Sequence, residues 1–382
     1  MFSYCSRQQD SQPWTFVTET STNRQKLQLL THFDKALRKE GYVTEQLKQH
    51  ALWSKMRCLR CGERLRKWCP PSGSMAVVAD TDNVAPLSSA KSKIDNRAGS
   101  LSVQGAQASR PRQYKCFFHD GRLFKGIWSC CKDRQNSRGC YISIDHTVSS
   151  VGDLEKTWHF HHTPSAVVHR LVAGQLTTRG RNEVRHDASF NHAPRGLTGL
   201  TRSAVALDCE MGTAADGSTE LIRLTMVDFF TQAVLIDSLV YPNVPMLHYN
   251  TRYSGVTFSA MKQAVRQRTC IFGRDAARKE VLRFVDSNTV VVVHGGSSDF
   301  CTLRWIHPSD NIIDTYILES FDEEVMRQRL KKSLKETVMR RCGINVQDAK
   351  LQNGKRAGHD SLEDALATRE IVCWWLRRIP DV

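Results

Sequence analysis

The chain lacks long hydrophobic runs, and its first residues lack the pattern of a secretory signal. No window of the 382 residues approaches the roughly 18 consecutive apolar residues of a membrane-spanning helix, so no membrane partner is expected. The segment Met1–Trp14 has neither a basic start nor an apolar stretch, which predicts residence inside the cell. The sequence also carries no internal repeat.

Acidic residues are in the minority. The chain has 39 Asp and Glu residues against 54 Lys and Arg residues, which gives a net charge of +15 and a pI near 9.4. A basic balance of this size favours a polyanionic partner, of which nucleic acid is the commonest. In a reducing compartment the 13 cysteines are more readily explained by metal binding than by disulfides.

The composition changes several times along the first half of the chain. An N-terminal region, residues 1–57, predicts a helical hairpin broken at Gly41. A Cys/His module, residues 58–150, is interrupted at about 70–112 by a stretch poor in large apolar residues, which predicts a disordered insertion. Residues 151–201 are basic without clear periodicity and predict a linker.

From residue 202 to about 378 the pattern is that of an α/β domain. Short apolar runs predict strands at 204–207, 221–227, 233–240 and 289–293. Helical patterns occupy 258–267, 274–285, 317–319, 334–341 and 361–376. Strands that later alternate with helices predict a mixed sheet flanked by helices.

Asp208 and Glu210 directly follow the first of these strands. Residues i and i+2 of a strand share one face, so both carboxylates project together beyond its end. Adjacent carboxylates repel each other unless a cation lies between them, and a hard divalent metal suits that position. An isolated Asp-x-Glu pair is nevertheless common on protein surfaces, where it has no such role.

Three further candidates lie downstream, and each has a simpler structural explanation. Asp299 follows Gly295 and Gly296 and could cap a helix. Asp364 has capping-box spacing from a serine at the start of the last helix, and His359 could be a solvated loop histidine. As an ordered set, however, four carboxylates and one histidine suit two metal ions roughly 3.5–4 Å apart and a base with a near-neutral pKa.

This ordered set resembles that of the DEDDh exonucleases, in particular their eukaryotic RNA exonuclease branch. The resemblance covers residues 204–376 and rests on Ala206-Leu-Asp208-Cys-Glu210-Met-Gly212, Ser254–Thr257, Asp314–Thr315 and Gly358 through Asp364-Ala365. It implies an RNase H-like fold, two Mg²⁺ or Mn²⁺ ions, and release of nucleoside 5′-monophosphates from the free 3′ end of single-stranded RNA.

The resemblance also implies a role for each matching residue. The metal ligands would be Asp208, which bridges both ions, Glu210 and Asp364 at the ion that binds the attacking water, and Asp299 at the second ion. His359 would be the general base. Leu207 and Met211 would contact the terminal base and ribose.

The Cys/His module offers eight candidate zinc ligands, enough for two tetrahedral sites. They are Cys58, Cys61, Cys116, His119, Cys130, Cys131, Cys140 and His146. Because adjacent cysteines do not easily serve one ion, we expect Cys130 and Cys131 on different ions. The downstream part of the module is similar to the CHORD zinc-binding domain, although Cys61 and Cys116 are farther apart than in that pattern. The alternative is a set of reduced buried thiols.

Several functions remain open at this point. The module could bind RNA, or it could bind a protein, since CHORD-like domains are associated with chaperone partners. The chain as a whole is predicted to be an exoribonuclease, because all five catalytic positions are filled. The alternatives are a zinc-dependent adaptor with a degenerate nuclease domain, or the same chemistry on single-stranded DNA. Charge and resemblance favour the nucleus over the cytoplasm.

Overall fold

The computed structural model describes residues 14–65, 84–86, 116–121, 123–124, 126–135, 137–165, 201–347, 351–352, 355–356 and 358–381. The chain forms two compact units. The large unit comprises Met1–Gln46, Phe160–Gly212 and Thr219–Val382. The Cys/His unit comprises Leu47–His159 and Thr213–Ser218.

The helices and strands of the described residues follow in chain order. The helices are α1 (Ser21–Leu29), α2 (Asp34–Lys39), α3 (Gln49–Trp53), α4 (Val151–Thr157), α5 (Thr251–Ser254), α6 (Phe258–Gln267), α7 (Arg274–Val281), α8 (Ser297–Leu303), α9 (Thr315–Leu318), α10 (Glu323–Gln328), α11 (Leu334–Cys342) and α12 (Ser361–Leu376). The strands are β1 (Val84–Pro86), β2 (Cys116–Phe118), β3 (Leu123–Phe124), β4 (Ile127–Trp128), β5 (Tyr141–Ser143), β6 (His161–His162), β7 (Ala204–Ala214), β8 (Thr219–Asp228), β9 (Val234–Tyr241), β10 (Met246–His248), β11 (Ile271–Phe272), β12 (Val290–Val293), β13 (Trp305–Ile306), β14 (Ile312–Asp314), β15 (Leu351–Gln352) and β16 (Lys355–Arg356).

A mixed sheet forms the centre of the large unit. Its strand order is β11-β9-β8-β7-β12-β14, and β10 also pairs with β7. Strand β12 is parallel to both β7 and β14, whereas β8 and β9 are antiparallel. A mixed sheet flanked by helices was predicted, and the structure confirms this fold class.

Helices cover both faces of the sheet, which explains its continuous apolar strands. All four valines of β12 are buried, as expected of a strand covered on both sides. Helices α7 and α8 pack on one face through residues such as Val281 and Leu303, next to Val205 of β7. Helix α12 packs on the other face, where Val372 joins Ala206 of β7.

The N-terminal region differs from the predicted hairpin. Helices α1 and α2 are separated before Gly41 is reached, and both belong to the large unit. Leu27 and Leu37, only 1% and 0% exposed, join the cores on the two faces of the sheet. The apolar faces of these short helices are therefore buried by the sheet rather than by each other, and α3 belongs to the Cys/His unit.

Two predicted irregular segments contain regular structure. Strand β1 lies within the predicted disordered insertion of residues 70–112 and pairs antiparallel with β5. The rest of that insertion lies outside the described residues. The predicted linker begins with α4, and β6 then pairs parallel with β13, while residues 166–200 are outside the description. Among the described residues, no helix combines the length and apolar character needed to cross a membrane.

Candidate active site and metal centres

Strand β7 carries Asp208 and Glu210, and both side chains are partly buried. Because alternate residues of a strand share a face, the two acids continue the row of Ala204 and Ala206. Those alanines belong to the core cluster that also contains Ala365 and Val372 of α12. The first two acids are therefore directed towards the helix that carries Asp364.

The start of α12 is fixed by polar contacts to β8. Asp360 caps the helix by accepting a hydrogen bond from the Leu362 amide at 3.2 Å. Arg223 of β8 donates to Asp360 at 3.2 Å, and the hydroxyls of Thr225 and Ser361 lie 2.6 Å apart. The predicted capping box from Ser361 to Asp364 is therefore wrong, because the cap is one residue earlier. The Asp364 carboxylate, buried to 4% exposure, is not needed for capping.

His359 is positioned by backbone packing immediately before this helix. Its amide donates to the Tyr253 carbonyl at 2.6 Å. A Cβ atom on Gly358 would lie only 2.0 Å from the Gly255 nitrogen, so only glycine permits this close approach. The His359 Nδ1 atom lies 3.3 Å from Asp364 Oδ2, and this hydrogen bond raises the pKa of His359.

Glu210, His359 and Asp364 form one potential metal-binding group, since their ligand atoms all lie within 4.8 Å of one another. Burial raises the pKa of Glu210 to about 7, and the Asp364 charge contributes to this shift. Burial also raises the pKa of Asp208, followed by the charges of Asp299, Asp364 and Glu210. The four acids thus share one electrostatic environment, in which a divalent cation would relieve their repulsion.

Asp299 lies in the first turn of α8 and is 7% exposed. The helix begins at Ser297, and its N-cap residue is Gly296, which makes no side-chain capping bond. The alternative that Asp299 caps this helix is therefore wrong. Burial raises the pKa of Asp299 first, and the Asp314 and Glu210 carboxylates raise it further.

The two predicted apolar contacts for substrate differ in accessibility. Leu207 is 1% exposed and packs in the core with Val205, so its side chain presents almost no surface to a substrate. Met211 is partly buried and lies at the margin of that core. Its carbonyl accepts a hydrogen bond from Asn250 at 3.1 Å. Of the pair, Met211 retains the surface that a base or ribose contact needs.

Gln347 is a site residue that the sequence did not reveal. Its Nε2 atom donates to both Asp364 oxygens, at 3.0 and 3.1 Å, and lies 3.3 Å from His359 Nδ1. The residue has φ +56 and its amide donates to Glu363 at 2.9 Å. A glutamine in a loop without periodicity gives no signal of such a role.

Among its described residues, the Cys/His unit contains two groups of four potential metal ligands. The first group is Cys58, Cys61, Cys116 and His146. The Sγ atoms of Cys58 and Cys116 are 3.6 Å apart, and Cys61 Sγ lies 3.4 Å from His146 Nδ1. A tetrahedral zinc site has neighbouring ligand atoms about 3.5–3.8 Å apart, given bonds of about 2.0–2.3 Å, so this group fits zinc.

The second group is His119, Cys130, Cys131 and Cys140. Both Cys130 and Cys131 approach His119 Nδ1, at 3.6 and 3.5 Å. Contrary to the expectation that these adjacent cysteines serve different ions, the structure brings both into one group of potential ligands. In the turn that follows them, Lys132 has φ +63 and its amide donates to the Trp128 carbonyl at 2.9 Å, which brings both thiols to one side.

The imidazole of His119 is oriented for metal binding through Nδ1. Its Nε2 atom lies 3.2 Å from the Ser137 carbonyl, which can only accept, so Nε2 carries the proton and Nδ1 has the free lone pair. The ring also stacks on Trp128 at a centroid distance of 4.4 Å. Such a second hydrogen bond is typical of metal-bound histidines.

Comparison with known proteins relates the chain to exonucleases, although no family model matches it. It is 34% identical over 170 residues to the apoptosis-enhancing nuclease of Rattus norvegicus, covering 44% of this chain and 47% of that protein. It is 36% identical over 180 residues to RNA exonuclease 3 of Eremothecium gossypii, covering 47% and 41%. This similarity confirms the predicted relationship to RNA exonucleases, while the likeness to CHORD domains stays a prediction.

The extent of similarity varies among these proteins. The chain spans about half the length of the curated relatives it matches. A match of 27% identity to RNA exonuclease 3 of Candida albicans spans 268 residues, or 69% of this chain. It therefore extends beyond residues 201–382. Among solved structures, the catalytic unit of Neurospora crassa Pan2 is 20% identical with a TM-score of 0.41, covering 52% of this chain and 31% of that one.

Proposed function

We propose that the large unit is a 3′→5′ exoribonuclease that hydrolyses RNA from its free 3′ end with two Mg²⁺ or Mn²⁺ ions. The observation that carries this proposal is the convergence of Glu210, His359 and Asp364 within 4.8 Å. Asp208 and Asp299 lie within electrostatic reach of the same group. Clustered carboxylates from different elements, with one imidazole beside them, suit phosphodiester hydrolysis.

Each side chain has a defined task in this proposal. Glu210 and Asp364 would hold one ion, Asp299 would support the other, and Asp208 would bridge them. When bound, the ions would supply an activated water and stabilise the leaving oxygen. Asp364 engages Nδ1 of His359, which leaves Nε2 as the ring nitrogen that can take the proton of the attacking water.

RNA is the proposed substrate, with its 3′ end as the site of attack. The net charge of +15 favours a polyanion, and relatives from five organisms carry the name RNA exonuclease 3. The ordered acidic motifs resemble those of enzymes that release nucleoside 5′-monophosphates. The chain spans about half the length of these relatives, so the 3′→5′ direction and the preference for RNA over DNA are our proposals. The nucleus is the proposed location.

For the Cys/His unit we propose two structural zinc ions, one in each group of four ligands. The proposal rests on distances between ligand atoms of 3.4–3.6 Å within both groups. In addition, the hydrogen bond from Cys61 lowers the pKa of Cys58 to about 4, which favours a thiolate for metal binding. Both RNA and a protein remain proposed partners for this unit.

The metal mechanism is tested by Asp208→Asn in the whole 382-residue chain. We expect the rate of shortening of 5′-labelled single-stranded RNA in Mn²⁺ to fall by more than about 10³-fold, because residues of one catalytic group act as a unit. Asp310→Asn, which changes an exposed aspartate of the same large unit, should leave the rate unchanged. Full activity of Asp208→Asn would refute the proposed chemistry.

A substrate panel tests direction and sugar preference. Matched RNA and DNA oligonucleotides, single- and double-stranded, would be compared with free and blocked 3′ ends. We expect single-stranded RNA with a free 3′ hydroxyl to be shortened to mononucleotides. Equal rates on blocked ends would contradict the 3′→5′ direction, and faster hydrolysis of DNA would contradict RNA as the preferred substrate.

A further inference from the structure

The turn between β12 and α8 consists of His294, Gly295 and Gly296, directly before the helix that carries Asp299. Gly295 has φ +64, a conformation that favours glycine. A Cβ atom on Gly296 would lie 2.6 Å from Cγ2 of Val293 and 3.0 Å from the Tyr42 hydroxyl. The turn is therefore shaped to receive a side chain from the N-terminal region of the same unit.

A buried carboxylate, that of Asp314, ties this turn together. Asp314 ends β14 and has no exposed surface. Its Oδ1 accepts hydrogen bonds from the amides of Gly295 at 2.8 Å and Tyr316 at 2.9 Å. Its Oδ2 accepts from the Gly296 amide at 3.3 Å and from the Tyr42 hydroxyl at 2.6 Å. Four donors saturate the carboxylate, which marks it as a structural acid rather than a free metal ligand.

Tyr42 contacts both sides of this arrangement. Besides the hydrogen bond to Asp314, its ring packs on Phe300, the neighbour of Asp299, with ring centroids 5.5 Å apart. Tyr42 is 6% exposed, and its amide donates to the Leu37 carbonyl at 3.1 Å. The backbone of Tyr42 is therefore fixed by α2, and its side chain points towards the first turn of α8.

A second contact anchors the same N-terminal region on β14. The His32 amide donates to the Ile312 carbonyl at 3.1 Å, and its ring accepts from the Asp314 amide at 2.9 Å. The edge strand that supplies Asp314 is thus bonded along its length by residues from the start of the chain. Residues 32–42 belong to the large unit, and Leu37 and Tyr42 join the core cluster that contains Phe300 and Leu303 of α8.

We infer that Tyr42 is a positioning residue for Asp299, the proposed ligand of the second metal ion. It acts through the Asp314 carboxylate and the ring of Phe300. The inference rests on the proposed function, because it assumes that Asp299 binds a divalent ion. Loss of the Tyr42 hydroxyl would leave one lone pair of a buried carboxylate unpaired and loosen the turn before α8. Residues that orient a metal ligand in this way typically change metal affinity or activity by about 10–100-fold.

The test compares Tyr42→Phe with the wild-type sequence by titrating Mn²⁺ into the zinc-loaded 382-residue chain without RNA, monitored by electron paramagnetic resonance. Phenylalanine keeps the ring contact and removes only the hydroxyl. We expect about tenfold weaker Mn²⁺ binding at one site and a similar fall in kcat with little change in KM for RNA. Tyr241→Phe, a change at an exposed tyrosine of β9, is the matched control and should bind Mn²⁺ like the wild type.

Two further variants make the result decisive. Asp299→Asn should weaken the same Mn²⁺ site, and adding Tyr42→Phe to it should cause no further loss, because both act on one ligand. If Asp299→Asn weakens binding but Tyr42→Phe does not, the role of Tyr42 is refuted and the nuclease proposal stands. If Asp299→Asn leaves Mn²⁺ binding intact, the proposed metal site itself fails.

Discussion

The two units present opposite kinds of metal environment. In the Cys/His unit each group supplies four ligand atoms, and Cys58 and Cys116 have no exposed surface. In the large unit the carboxylates repel one another and the His359 side chain is 45% exposed. Structural zinc sites are closed by protein ligands, whereas catalytic sites keep positions open for water and substrate. In the proposed assignment, the number of protein ligands therefore distinguishes the structural sites of the Cys/His unit from the catalytic site of the large unit.

We expect the largest effect of any substitution at the adjacent cysteines of the Cys/His unit. A Cys130→Ser/Cys131→Ser double variant should lower the zinc content from about two to about one per chain, because both thiols serve one tetrahedral site. The measurement is metal analysis of the purified protein. The variant should also lose the folding free energy that this ion contributes, which is on the order of 10 kcal/mol for small zinc modules.

Cys342→Ser changes a cysteine of the large unit that lies outside both groups, so its zinc content should equal that of the wild type. If the double variant lost all of its zinc, the adjacent cysteines would bind different ions. If it retained about two, neither thiol would be a ligand.

The difference between the units also decides how much the sequence could predict. Asp208 and Glu210 lie on a strand and Asp364 lies on a helix whose apolar patterns are strong, so the order of motifs predicted both the fold and the clustered site. Asp208, Glu210 and Asp364 are brought together by a sheet and one helix. Their position follows from regular geometry that local sequence encodes.

Ligand pairing and supporting contacts could not be predicted in the same way. Which cysteines share an ion depends on the turn at Lys132 and on β5, where short strands carry almost no pattern. Tyr42 bonds to Asp314 across 272 residues, Gln347 reaches Asp364 across 17 residues of irregular backbone, and no pattern around either residue indicates its partner. Long-range contacts through irregular backbone are set by tertiary packing, which a single sequence does not reveal.

The next largest effect is expected at His359, in the candidate catalytic site of the large unit. His359→Ala should lower kcat by about 10²–10⁴-fold, the range for loss of a general base, while the Kd for single-stranded RNA in Ca²⁺ changes little. The measurements are single-turnover rates and fluorescence anisotropy. His162→Ala, at an exposed histidine of β6, provides the control. Equal losses in rate and affinity would show that His359 binds RNA rather than acting as a base.

The smallest effect is expected at Gln347. This residue orients the proposed metal ligand Asp364 and does not itself bind the ion. Its amide donates to both Asp364 oxygens and lies beside His359 Nδ1, so Gln347→Ala should let the acid and the imidazole reorient. We expect kcat to fall about tenfold at unchanged melting temperature, as for other residues that orient a metal ligand. Gln328→Ala, at an exposed glutamine of α10, should have no effect. A loss as large as that of His359→Ala would instead place Gln347 among the groups that act directly on the reacting water.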